Sequence, residues 1–100
     1  MEKRIGSISI LISNRAIVPQ VNLLLSEFAD LILARQGLPM REHGLHFISL
    51  IIEGTTEQIS ALTGKLGRLA DVEAKSMVAK KTIRSASVPR IISIDSNINH

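Results

Sequence analysis

His43 and His46 are the side chains of this sequence whose type and spacing best suit metal binding. They lie on either side of Gly44 and could converge across a tight turn, with Glu42 or Glu53 as a third ligand. A metal site usually has three or four ligands, and histidines are also common at surface turns. The pattern therefore falls short of a predicted metal site, and no cofactor is expected.

Three arginines could instead hold an anion. Arg15 lies between the first predicted strand and the first predicted helix, where the positive end of the helix dipole favours negative charge. Arg35 and Arg41 are alternatives, and each can equally be a surface charge or an ion-pair partner. We take Arg15 as the candidate anchor for a small anionic ligand.

Catalytic chemistry finds no support in the residue pattern. The chain has no cysteine, which excludes disulfides, thiolate metal sites and cysteine nucleophiles. No histidine, carboxylate and hydroxyl combination stands out among the many serines. The segment Gly64–Gly67 resembles a phosphate loop only superficially, because the expected earlier glycine and Ser/Thr are missing. We do not expect an enzyme.

The net charge of +3 comes entirely from the end of the sequence. Residues 1–79 carry eight Lys/Arg and eight Asp/Glu, whereas residues 80–100 carry four basic residues against Asp95. We therefore divide the chain into a neutral domain, 1–79, and a basic tail, 80–100, which is either flexible or adds a short strand. The neutral domain argues against nucleic-acid binding except through the tail.

Composition favours a small domain that associates with copies of itself. Hydrophobic residues make up 45% of the 100 residues, but only two are aromatic. So much aliphatic surface exceeds what one small core can bury, which predicts a homodimer or homotetramer. No stretch resembles a signal peptide or reaches the roughly 20 apolar residues of a membrane span, so we expect a cytoplasmic protein without membrane contact.

The first two elements that would position these side chains follow from hydrophobic periodicity. Isoleucines alternate with mostly serine residues over Ile5–Ser13, which predicts a strand. From Pro19, apolar residues recur at helical spacing as far as Ile32. Gly37 and Pro39 are expected to end this first helix.

Three strands and a second helix are predicted beyond it. A short strand at Met40–Glu42 would turn into a stronger one, Leu45–Glu53. Thr55 and Gln58 have the spacing of a capping box, which predicts the start of the second helix. A last strand is predicted at Val72–Val78.

This β-α-β-β-α-β order predicts a ferredoxin-like α+β fold. Its antiparallel four-stranded sheet would carry both helices on one face. The other face would be open to solvent or, as we favour, buried against a second copy. Its predicted members are Ser7, Ser9, Leu11, Phe47 and Ile51.

Two glycines interrupt the second helix. Gly64 and Gly67 stand among the leucines of its apolar face. An interior glycine costs a helix roughly 0.5–1 kcal/mol relative to alanine. Their presence predicts that another backbone packs closely against this helix.

Three segments together resemble one protein family. They are Gln20-Val21-Asn22-x-Leu24-Leu25, Arg35-x-Gly37-x-Pro39, and Leu62-Thr63-Gly64-Lys65-Leu66-Gly67 with Val72 beyond. The chain is thereby similar, over roughly residues 4–79, to small bacterial iron-only hydrogenase system regulators. That family has an ACT-like fold, shared with the C-terminal domain of a nickel-responsive regulator.

The resemblance implies a self-associating regulatory domain rather than an enzyme. It implies ligand-binding roles for Gln20 and Asn22 beside Arg15, and structural roles for the other motif residues, which are Arg35, Gly37, Pro39, Gly64 and Gly67. Two departures bear on the ligand. The loop 14–19 lacks the glycine that amino-acid-binding ACT domains have there, and the chain lacks the cysteine of the nickel-sensing relatives.

These observations together predict a regulatory module that acts as a homo-oligomer. It would respond to a small-molecule effector near Arg15 or bind a partner protein. The alternative is a structural interaction module whose basic tail docks onto an acidic partner or nucleic acid.

Overall fold

The protein alternates strands and helices in the predicted order. A computed structural model describes residues 2–83 and 92–93. Its strands and helices are β1 Lys3–Ile12, α1 Val18–Glu27, β2 Ile32–Met40, β3 Leu45–Gly54, α2 Thr56–Gly67, β4 Val72–Ile83 and β5 Ile92–Ser93. Short 3-10 turns, which are Arg15–Ile17, Ala29–Leu31 and Arg41–His43, connect several of them.

The strands form one sheet in the order β4-β1-β3-β2-β5. Neighbouring strands among the first four are antiparallel, whereas β5 runs parallel to β2 through Ala34 and Arg35. Both helices contribute to the same buried cluster and therefore lie on the same face of the sheet. The predicted ferredoxin-like α+β fold is confirmed.

The core is built on the pairing of β1 with β3. Ile8 lies opposite Leu50 and Ile10 lies opposite Ile48, and none of these four side chains is exposed. The helices cover them with five buried side chains, which are Val21, Leu25, Ile59, Leu62 and Leu66. Burying an aliphatic side chain of this size contributes roughly 1.5–3 kcal/mol, so this aliphatic layer dominates the folding energy.

The start of α2 has the predicted capping box. The Thr55 amide donates to Gln58 Oε1 at 2.9 Å, and the Gln58 amide donates to the Thr55 hydroxyl at 3.1 Å. The two helices also meet at their surface, where Lys65 Nζ lies 5.5 Å from the centre of the Phe28 ring. This cation–π contact joins α2 to the end of α1.

The predicted length of the first helix is wrong. α1 ends at Glu27, and the segment Ile32–Met40 is strand β2. Arg35, Gly37 and Pro39 therefore lie within β2 and do not close a helix. Apolar residues at helical spacing near Ile32 fit a helix, a 3-10 turn and a buried strand equally well, and tertiary pairing with β3 decides between them.

Two other boundaries differ from the prediction. The segment Met40–Glu42 is not a strand: Met40 ends β2, and Arg41–His43 is a 3-10 turn that leads into Gly44 at φ +67°. β4 continues beyond Val78 to Ile83, so the strand crosses the boundary drawn at residue 79.

A bulge accompanies the extension of β4. The β1–β4 register shifts between Arg4 and Gly6. The Arg4 guanidinium donates to the carbonyl of Ala79 at 3.2 Å and also to the carbonyl of Lys80. These bonds satisfy carbonyl groups that regular pairing would otherwise occupy.

Within the described residues, no helix is long and apolar enough to cross a membrane.

The predicted close packing against Gly64 and Gly67 is wrong for the described part of the chain. Both glycines are exposed, and a Cβ atom added to either would meet nothing within 4 Å. By contrast, a Cβ on Gly6 would lie 2.8 Å from the Met77 carbonyl oxygen. The close backbone approach therefore occurs at Gly6, between β1 and β4.

We predict that alanine at Gly6 and alanine at Gly64 change the free energy of unfolding in opposite directions. Gly6→Ala should lower the free energy of unfolding by about 1–3 kcal/mol because backbone must move. Gly64→Ala should raise it by roughly 0.5–1 kcal/mol because helix propensity improves without a clash. Denaturant titration of both variants checks this. Destabilisation by Gly64→Ala would contradict the open environment of that residue.

Candidate functional site

Two of the sequence motifs meet where α1 crosses β2. The Arg35 guanidinium donates to Asn22 Oδ1 at 2.6 Å. Asn22 lies on the exposed side of α1, and Arg35 on the face of β2 that packs beneath the helices, opposite the buried Leu50. The contact joins the motif that contains Asn22 to the motif that contains Arg35. It is a charge-assisted hydrogen bond between the helix and the strand.

His46 lies on the same face of the sheet. It pairs with Ile12 of β1 and with Pro39 of β2, and Ile12 is fully buried beneath the helices. A Cβ on Gly37 would lie 3.4 Å from His46 Nε2, which is ordinary van der Waals contact, so the imidazole lies directly beside Gly37. His46 Nδ1 is buried and has no hydrogen-bond partner among the described residues.

Burial and two neighbouring arginines act on this imidazole. Desolvation lowers the pKa of His46 below the ordinary value of 6.5, and the positive charges of Arg15 and Arg35 lower it further. No carboxylate contributes to the shift. We name these four residues, Arg15, Asn22, Arg35 and His46, the Arg35–His46 cluster. It contains two cationic side chains, and the Asp71 carboxylate accepts a hydrogen bond from Asn14, the residue before Arg15.

Three backbone amides before and at the start of α1 already have hydrogen-bond acceptors. The Ala16 amide donates to Asn14 Oδ1, the Ile17 amide to the Asn14 carbonyl, and the Val18 amide to the Arg15 carbonyl. Pro19 has no N–H. The Ala16, Ile17 and Val18 amides are therefore already paired within the turn and are not free donors.

The other residues that the sequence offered as ligand or metal-binding candidates are not part of the Arg35–His46 cluster. Gln20 is exposed on α1, and Arg41 and His43 are exposed in the 3-10 turn after β2. Arg41 and His43 line a groove of about 430 Å³ with Pro39, Met40 and Glu42.

A shared metal site is not assembled from the predicted ligands. Glu53 and His46 are seven residues apart in one continuously paired strand, so their side chains point to opposite faces of the sheet. Glu53 is only 5% exposed. Among the described residues, no three His, Cys, Asp or Glu side chains are grouped so that they could hold a metal ion.

The opposite face of the sheet is uncovered by helices and carries large apolar side chains among polar ones. We call it the open face, and it presents Leu11, Leu38, Phe47, Ile51 and Met77. The pairings Leu11 with Phe47 and Leu38 with Phe47 place these residues side by side. Leu38, Ile51 and Met77 are 47%, 41% and 65% exposed. Ser7, Ser9 and Leu11 alternate with the core isoleucines, as the sequence pattern predicted.

Arg35 is the residue whose role the sequence pattern obscured. An assignment of Arg35 to the end of a helix separates it from His46. Read as a strand, Ile32–Met40 places Arg35 and Gly37 on one face, next to the histidine. No local sequence signal separated the two readings, since the residues near Ile32 fit a helix and a strand alike. The alternative function rests on the predicted basic tail, residues 80–100. Of these, residues 80–83 belong to β4 and Ile92–Ser93 is β5, while 84–91 and 94–100 lie outside the described residues.

The fold and its two surfaces define a small ferredoxin-like domain with a positively charged cluster beside α1 and an apolar face behind it. A family model described as "Iron-only hydrogenase system regulator, putative" (TM1266-like) matches residues 4–76. The chain belongs to this family.

One solved structure agrees with that membership, and a second shares the fold. The chain is similar to the uncharacterized protein TM1266 from Thermotoga maritima, with 36% identity, a TM-score of 0.75, and coverage of 79% of this chain and 100% of that one. Part of full-length HypF, in its phosphate- and nucleotide-bound form, shares the fold at 12% identity and a TM-score of 0.54, covering 96% of this chain and 12% of that one. Among curated proteins, none matches the chain.

Removal of the Arg35 charge should raise the pKa of His46. Arg35→Met eliminates one of the two cations that disfavour the imidazolium. Arg68→Met, at the exposed residue that follows α2, serves as the matched control. An NMR titration of the His46 ring, assigned with His46→Gln, checks this. An unchanged midpoint in Arg35→Met would contradict the described proximity.

Stability should depend on pH through the same group. Because the folded-state pKa lies below 6.5, the unfolded chain binds more protons as the pH falls, and the stability contributed by neutral His46 is lost. Between about pH 7.5 and about pH 5, His46→Gln should therefore lose less unfolding free energy than the parent. Equal losses in urea titrations of both proteins would argue against this role.

Proposed function

We propose that this protein is a non-enzymatic regulatory module that acts as a homo-oligomer and responds to a small-molecule effector. Membership of a family of regulators supports the regulatory role. The observation that carries the proposal is the open face, because it gives the domain a surface for self-association distinct from the Arg35–His46 cluster.

The exposure of the open face is unusual for an isolated small domain. Phe47 and Ile51 are 36% and 41% exposed at the centre of the sheet, and Met77 is 65% exposed at the β4 edge. The register places these residues in two rows, separated by a polar row of Lys75, Ser9, Ser49 and Gln36. Exposed large apolar side chains grouped on one face mark interaction sites on soluble proteins. A shallow depression of about 190 Å³ between Leu11 and Phe47 gives this surface relief into which a side chain can pack.

The charges of the open face favour a second copy as the occupant. Glu73 and Lys75 line the same depression, two residues apart on β4. Across a two-fold axis, the Glu73 carboxylate of each copy would meet the Lys75 ammonium of the other. Such a face is self-complementary, which is what an isologous dimer interface requires.

The effector would act through strand β2, which contributes to both surfaces. Arg35 faces the helices, while its neighbours Ala34 and Gln36 share register with Ile51 and Ser49 of the open face. A ligand that draws Arg35 towards itself would shift β2 and alter the packing of Leu38 against a second copy. Only a ligand with different affinities for the two assembly states can produce such a response.

Substitution within the open face should dissociate the oligomer. Ile51→Lys places a charge at the centre of the proposed interface, whereas Leu23→Lys places the same charge at a leucine that is 65% exposed on α1. We expect at least about a tenfold weaker association for Ile51→Lys only, measured by sedimentation velocity.

Circular dichroism of both variants establishes that the fold is retained. If Ile51→Lys assembles as tightly as the parent, the open face is not the interface. If Leu23→Lys alone dissociates, self-association occurs through α1 instead.

A further inference from the structure

Strand β4 forms one edge of the sheet, and among the described residues its outer side has no partner strand. The Ser13 amide donates to the Asp71 carbonyl at 2.9 Å, so the odd-numbered residues at the start of β4 direct their backbone groups towards β1. The even-numbered residues direct their N–H and C=O groups outwards. They are Val72, Ala74, Ser76 and Val78. Such a row of unpaired donors and acceptors can bind a further strand.

The regular part of this edge is Val72–Val78. The β1–β4 register is continuous there and shifts beyond it, where Arg4 donates to the carbonyls of Ala79 and Lys80. A bulge of this kind twists an edge and interrupts pairing. A partner strand is therefore expected to pair with Val72–Val78 and not with the end of β4.

The charges of this segment favour β4 of a second copy as the partner strand. In an antiparallel pair with a two-fold axis at Ala74, Glu73 of each copy lies opposite Lys75 of the other, and opposite charges in these positions stabilise a strand pair. An axis at Lys75 would instead place two lysines opposite each other. A carboxylate has two oxygen atoms, so this contact within the sheet is compatible with a second one across the open face.

Helix α2 leaves room for a second copy beside β4. It packs against β4 and β1, and the flank that carries Lys65 lies towards Phe28 of α1. The opposite flank therefore lies above the β4 edge, and it has only small residues, which are Thr56, Ser60, Thr63 and Gly67. Two copies joined through β4 would bring these flanks side by side, with no long side chain between the helices.

We propose that β4 pairs antiparallel with β4 of a second copy, which joins two sheets edge to edge. This surface is distinct from the open face. The two-fold axis is perpendicular to the sheet, so the open faces of both copies lie on the same side and remain available. Edge pairing and open-face packing together produce a homotetramer, whereas either contact alone produces a homodimer.

A proline at the outer edge tests the pairing. Ser76 is exposed, and its N–H points away from β1, so Ser76→Pro removes a donor to the second copy without removing a bond to β1. Ser76→Ala is the matched control, because it loses the same hydroxyl and keeps the N–H. We expect association through this edge to weaken at least about tenfold for Ser76→Pro only, measured by sedimentation velocity, with circular dichroism to establish that the fold is retained.

Ile51→Lys, which acts on the open face, is measured in parallel so that the two interfaces are distinguished. If both exist, each substitution alone converts a tetramer into a dimer, and the double variant is a monomer. A dimer that only Ser76→Pro dissociates would uphold edge pairing and contradict the open-face interface. Equal association of Ser76→Pro and Ser76→Ala, or a monomeric parent, would overturn the inference.

A disulfide crosslink tests the same pairing should Ser76→Pro fold poorly. The chain has no cysteine. In Ala74→Cys the two introduced thiols would face each other at the two-fold axis, with Cα atoms about 5.5 Å apart, which is within the range of a disulfide. Ala61→Cys, exposed on the flank of α2 that carries Lys65, is the control. We expect a covalent dimer after oxidation of Ala74→Cys only, seen by non-reducing electrophoresis, and its absence would overturn the proposed pairing.

Discussion

The register between β1 and β3 is the constraint on which the rest of the structure depends. It places Ile8 against Leu50 and Ile10 against Ile48, all fully buried beneath the helices. A slip of one residue would move these side chains to the other face. The same register places His46 beside the helices and leaves Phe47 on the open face. One pairing therefore determines the core, the cationic cluster and the apolar surface.

The two surfaces differ in what stabilises them. The Arg35–His46 cluster includes the bond from Arg35 to Asn22, which crosses from strand to helix. The open face has exposed apolar side chains and no helix above it. Strands β2 and β3 carry residues of both surfaces, because successive side chains of a strand point to opposite faces.

Much of this architecture could be predicted from local sequence patterns. The alternation in β1, the Thr55–Gln58 capping box and the composition of the open face all depend on neighbouring residues and are present as predicted. The extent of α1 could not be predicted, because residues near Ile32 satisfy helical and extended patterns alike. The meeting of Asn22 with Arg35 is a consequence of that tertiary choice, so no local pattern could have placed these two residues in contact. Gly64 and Gly67 show the converse: glycine in a helix does not by itself reveal a close neighbour.

The central claim is that the open face brings copies of this chain together. Native mass spectrometry of the untagged full chain tests it most directly. We expect a homodimer or homotetramer, at two or four times the 10.9 kDa mass of the chain, with added mass wherever an effector is retained. If the chain has the mass of a monomer at the concentrations used for sedimentation velocity, the open face does not bring copies together.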